Sequence, residues 1–105
     1  MFKLQPNPTF WAPVSIPVPH ADNEAVIEIE FNHKTKVDLD AYLKLTAQPE
    51  TKDPDSIGEI VKDWKGLDVD FNTDHLNTLL NNYPSAGRAI LRAYIVALTE
   101  GRKKN

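Results

Sequence analysis

Cysteine is absent from the 105 residues, which excludes disulfide staples, thiolate chemistry and cysteine zinc sites. The absence fits a reducing compartment. Glycine is scarce, at four residues, and none forms a phosphate-cradling or dinucleotide-binding pattern. Ser15, Ser56 and Ser85 lack the flanking glycines of a nucleophile elbow. His20, His33 and His75 have no partners at metal-ligand spacing. His33 reads as structural or solvated, and the acidic stretch Asp68-Val69-Asp70 lacks the ligand ladder of a calcium loop. No catalytic, cofactor-binding or metal-binding residue is therefore assigned, and no cofactor is expected.

Long apolar runs are missing too. The longest strongly apolar stretch covers residues 94–98, far short of the ~20 residues of a membrane span. The opening Met1-Phe2-Lys3-Leu4-Gln5-Pro6-Asn7-Pro8 has no continuous apolar core of the kind a secretory signal needs. A soluble, cytoplasmic protein without a membrane partner is expected. A formal net charge of -3 is too mild to steer the chain to nucleic acid. The basic end, Gly101-Arg102-Lys103-Lys104-Asn105, suits the C-terminus of a helix, where cations are favoured.

What is present describes one small domain over residues 1–105, with 41% hydrophobic and 26% charged residues. A domain this size buries only about 60–65% of its unfolded surface, so association with itself or a partner would add useful stability.

The hydrophobic period changes once, near residues 33–36, from strand-like to helix-like. Over residues 10–18, Phe10, Ala12, Val14, Ile16 and Val18 alternate with polar or proline positions. Pro13, Pro17 and Pro19 share one parity, so the donors they lack belong to one lateral edge. That predicts an edge strand, guarded against unwanted pairing. Over residues 25–33, Ile27, Ile29 and Phe31 alternate with Glu28 and Glu30, a second half-buried strand. The polar link at 20–24 makes an antiparallel hairpin plausible.

Four helices are predicted after that. The first spans 36–47, opened by Thr35 and Asp38 in a capping-box arrangement, with Leu39, Tyr42, Leu43 and Thr46 on one face and Pro49 as its stop. The second spans 54–65, with Asp53-Pro54 at its start, a stripe of Ile57, Ile60, Val61 and Trp64, and Gly66 at its end. The third spans 73–83, capped by Asn72 or Thr73, with Leu76, Leu79, Leu80 and Tyr83 as its seam. The fourth spans 85–100. The expected fold class is α+β.

The fourth helix is apolar over more than half its circumference, with Arg88, Arg92 and Thr99 as its polar strip. A helix lying on one core surface needs a stripe of only ~100° or somewhat more. Either it lies inside a helical layer or part of it meets another chain. The candidate partner or self-association surface is Trp11, Arg88, Leu91, Arg92 and Ile95. Trp11 enters because it falls on the proline side of its strand, whereas Trp64 fits an apolar stripe.

From Phe71 onward the sequence reads Phe71-Asn72-Thr73, Leu76, Leu79-Leu80, Tyr83-Pro84, Ala86, Ala89-Ile90, Ala93-Tyr94 and Leu98-Thr99. Together with the opening residues 2–10, this resembles the small tail assembly chaperones of long-tailed, siphovirus-type bacteriophages and prophages. The likeness is looser between residues 48 and 63, and Trp11 and Leu67 stand where the family usually has smaller residues. The resemblance implies a non-catalytic protein of the host cytoplasm, not expected in the mature virion. It implies that the chain coats the long apolar tape measure protein before the tail tube polymerises. Many relatives also make a frameshifted longer form whose extra domain recruits the tail tube (major tail) protein. Lys103-Lys104-Asn105 can be encoded by A-AAA-AAC, a run on which two tRNAs slip back one base, and the tail would then be the joint to such an extension. A possible homo-oligomer belongs to the same expectation. The competing reading is a small regulatory module that binds protein, as an antitoxin or inhibitor does.

Overall fold

The computed structural model describes residues 1–48 and 53–100. The elements run β1 (Thr9–Pro17), β2 (Glu24–Asn32), α1 (Lys36–Thr46), α2 (Asp53–Ile60), β3 (Val61–Lys65), α3 (Thr73–Asn82) and α4 (Ala86–Thr99). Three antiparallel strands form a sheet in the order β1-β2-β3, and the expected N-terminal hairpin is its first two strands.

β1 lies at the edge, as its prolines require. Even-numbered backbone groups turn toward β2; the Pro8 carbonyl, for example, accepts from the His33 amide at 2.8 Å. Pro13 and Pro17 therefore place their missing donors on the open side and cost the ladder nothing. The hairpin link turns through His20, which holds φ 63.

Alternation puts Ala12, Val14, Ile16, Ile27, Ile29 and Phe31 on one buried sheet face, and the helices cover that face. Tyr94 of α4 is the hub. Its ring lies 5.1 Å from Phe31, 6.1 Å from Phe10 and 6.4 Å from Tyr42, centroid to centroid. Such aromatic pairs add about 0.5–1.5 kcal/mol each beyond the area they bury.

Helix starts follow local chemistry. The Thr35 hydroxyl accepts from the Asp38 amide at 3.1 Å, and the Asn72 side chain accepts from the His75 amide at 2.7 Å. Leu39 and Tyr42 of α1, Leu76 and Leu79 of α3, and Ile90 and Tyr94 of α4 are buried. Pro49, expected to end the first helix, and the basic residues 101–105 lie outside the described residues.

One expectation is corrected. The second helix does not run to residue 65. It stops at Ile60, and Val61–Lys65 becomes a third strand against β2. Phe31 faces Val61, Glu30 faces Asp63 and Ile29 faces Trp64, so Lys62 is an extra residue in a β-bulge. The bulge puts Val61 and Trp64, three positions apart, on the same inner face. Spacing that reads as helical is thus produced by a bulged strand. Gly66, expected as a helix stop, ends this strand instead, with φ 97.

Candidate functional site

The candidate surface divides by position. Arg88 and Arg92 are exposed on α4, at positions one helical turn apart. Leu91 and Ile95 lie along one side of this pair and are half-buried. Leu91 packs against the core cluster, so part of the wide apolar arc of this helix is consumed by the fold itself. Of the large apolar side chains on α4, Val96 is the exposed one.

Each arginine borders its own hollow. Arg88 and Leu91 line a cavity of about 260 Å³ with Thr46, Ser56, Ile57, Pro84 and Gly87. Arg92 lines a shallower groove of about 370 Å³ with Ala89, Ala93 and Val96 on one wall and Ser15, Pro17 and Glu24 on the other. The small side chains Ala89 and Ala93 bring α4 close to the edge strand and leave the groove room.

Trp11 is not part of this cluster. It lies on the outer sheet face, opposite Glu30 in the ladder, and the Lys65 ammonium sits 4.4 Å from its ring centroid. Glu30 accepts from the Thr9 hydroxyl at 2.7 Å on the same face. Trp64 is buried, as its stripe implied. It donates Nε1–H to the Val69 carbonyl at 2.9 Å and meets Phe71 edge-on at 5.1 Å.

Some features escaped the sequence reading. Val26 is 64% exposed on the outer sheet face. Its signal was present, as the apolar residue that breaks the alternation of β2. Phe2 and Leu4 are 92% and 86% exposed in an arm ahead of β1. Their signal was also present: apolar residues in a proline-flanked segment too short to form a core of their own.

Electrostatics are quiet. The Lys34 ammonium pairs with Glu59 at 2.6 Å and lies 5.2 Å from the Tyr42 ring centroid. The Tyr94 phenol is pushed up to about 12 from an ordinary 10.0, by burial first and by the nearby Glu59 charge second. His75 lies 2.6 Å from the Asp70 carbonyl through Nδ1, a contact that closes the connector onto α3. Among the described residues no group of three or more His, Cys, Asp or Glu side chains is placed to hold a metal ion. Among them, no helix is long and apolar enough to cross a membrane.

A sequence comparison adds the family to this geometry. The profile of the phage tail assembly chaperone family matches residues 1–105, the whole chain. The chain belongs to the phage tail assembly chaperone family. Neither a curated protein nor a solved structure matches it.

Proposed function

We propose that this tail assembly chaperone binds the tape measure protein through the solvent-facing flank of α4, without catalysis. The observation that carries the reading is the exposed pair Arg88 and Arg92, with half-buried Leu91 and Ile95 along one side of it and a hollow bordering each arginine. A long amphipathic helix laid along such a surface seats apolar side chains in the hollows and acidic ones beside the arginines. The binding takes place in the host cytoplasm, and the chaperone is released before the virion is complete. In this reading a longer, frameshifted form brings the tail tube protein to the same complex, and copies of the chain act together along the tape measure.

The test is binding of purified chain to a tape measure fragment, measured by calorimetry. Arg88→Glu with Arg92→Glu reverses both exposed charges on α4 without touching the core. Binding weakened by roughly tenfold or more, with unchanged melting, supports the assignment. Unchanged affinity removes α4 from the interface.

A further inference from the structure

The helices cover one face of the sheet. On the other face, every side chain of β1 and β2 is exposed or half-buried. An antiparallel sheet often turns one side to water, and that side is then polar. Here it is polar on one strand only. β1 presents Trp11, Pro13 and Pro17, whereas β2 presents Glu24, Glu28 and Glu30. The register pairs them across the ladder: Trp11 with Glu30, Pro13 with Glu28 and Pro17 with Glu24. Paired side chains lie about 4.5–5.5 Å apart, and those two apart on one strand about 6.5–7 Å. An apolar lane thus runs beside a carboxylate lane. Val26, 64% exposed, widens the apolar lane opposite Ser15.

This face already holds one cation. The Lys65 ammonium reaches from β3 to 4.4 Å from the Trp11 ring centroid, and Glu30 is the cross-strand neighbour of that ring. An aromatic face beside a carboxylate attracts a cation through both groups. The sheet edges offer a partner less. Pro13 and Pro17 remove donors from the open side of β1, and the Trp64 amide of β3 is held by the Asp63 carboxylate at 2.8 Å. A partner of this sheet therefore lies across its face and does not extend its ladder.

We propose that the outer sheet face docks a basic amphipathic helix of a partner protein, apolar side chains on the β1 lane and Lys or Arg side chains on the β2 lane. Charge complementarity selects the occupant, because an acidic segment would meet Glu24, Glu28 and Glu30 in a row. The dimensions agree. A helix about 10 Å wide spans both lanes, and its side chains four positions apart are spaced by about 6 Å, close to the spacing of Glu28 and Glu30. A helix is also how this fold covers the other face of the same sheet. The surface lies across the sheet from α4, so the proposal is independent of the tape measure reading. A chain that uses both surfaces holds a partner on each side.

The probe is a synthetic helical peptide of about fourteen residues, which matches the roughly 20 Å of β1 from Trp11 to Pro17. It carries a leucine and alanine stripe with arginines along one side; a counterpart has glutamates in their place. Calorimetry on the full chain should give saturable one-to-one binding of the arginine peptide and none of the glutamate peptide. The bound peptide should shield Trp11 from iodide. Glu24→Lys with Glu28→Lys should weaken binding by roughly tenfold or more, and so should Val26→Asp, with melting used to check that each variant is folded. Asp55→Lys with Asp68→Lys makes the same change in charge away from this face and should leave affinity within about twofold. Absence of binding overturns the proposal, as does affinity that survives both outer-face variants. Equal losses in the Asp55 and Asp68 variant reduce the effect to net charge and overturn it too. If the peptide-free chain instead buries Trp11 as its concentration rises, a second copy is the occupant and the basic partner is wrong.

Discussion

The Tyr94 hydroxyl donates to the Asn32 carbonyl at 2.7 Å and ties the last helix to the end of the central strand. The two residues are far apart in sequence, yet this bond and the ring contacts with Phe10, Phe31 and Tyr42 set where α4 lies. The exposed flank of α4 takes its direction from that anchor. Tyr94→Phe keeps the packing and leaves a carbonyl without its donor, so a loss of about 1–2 kcal/mol in chemical denaturation is expected. Tyr94→Ala removes the hub, and a loss of about 3–5 kcal/mol is expected.

The same residue sets an alkaline limit. In the folded chain its phenol ionises near 12, whereas in the unfolded chain it ionises near 10.0. A raised phenol means that the native state holds its proton longer than the unfolded state does. The burial of Tyr94 therefore carries no pH penalty below about 10, and stability falls as pH rises from there toward 12. Urea midpoints measured across that window should decline in the wild type. They should decline less in Tyr94→Phe, which has no phenol to ionise.

Deletion of Lys62 separates the strand from the helix that the spacing suggested. In a bulged strand the deletion regularises the ladder, and Val61 and Trp64 stay on the inner face. The expected change is within about 1 kcal/mol, because no inward side chain changes face. In a continuous helix the same deletion would turn Trp64 by ~100° out of the core. A fluorescence emission that stays blue-shifted in the Trp11→Phe background checks which holds.

Gly66 occupies φ 97, where a side chain is strained even when there is room for it. A Cβ there would lie 3.5 Å from the Ile27 Cα, an ordinary contact, so the cost is conformational. Gly66→Ala should lower stability by about 1–2 kcal/mol with no change in oligomeric state. A drop in melting temperature with an unchanged sedimentation profile is the expected result.

The two tryptophans should report separately. Trp11 is half-buried under Lys65, whereas Trp64 is buried with its indole hydrogen-bonded. Iodide should quench Trp11 and spare Trp64 in single-tryptophan variants. Lys65→Gln should cost about 0.5–1 kcal/mol at most and increase the quenching of Trp11.

Much of this fold was legible because local and global preferences agree. The proline parity of β1 predicted an edge, and an edge is what the sheet order gives it. Thr35 and Asn72 announced two helix starts within a residue. Trp64 was rightly assigned to the core, but for the wrong reason, because a bulge at Lys62 imitates the three-residue step of a helix. No short-range pattern separates those two cases; pairing with Ile29 and Phe31, distant in sequence, decides between them. The α4 flank was visible as an excess of apolar residues. Its share in the core was not, because the contact of Leu91 with the cluster depends on where α1 and α2 end up. Trp11 was placed correctly on the proline side of its strand but lies away from the arginines, since β1 turns that face outward and α4 covers the other.

The central claim is that this chaperone holds the tape measure protein, and co-expression of the two tests it most directly. The tape measure protein expressed alone should collect in the insoluble fraction. With this chain it should become soluble and co-purify on a tag carried by the chaperone, and Arg88→Glu with Arg92→Glu should return it to the pellet while the chaperone stays folded. A tape measure protein that remains insoluble, or that dissolves without retaining the chaperone through purification, would contradict the account.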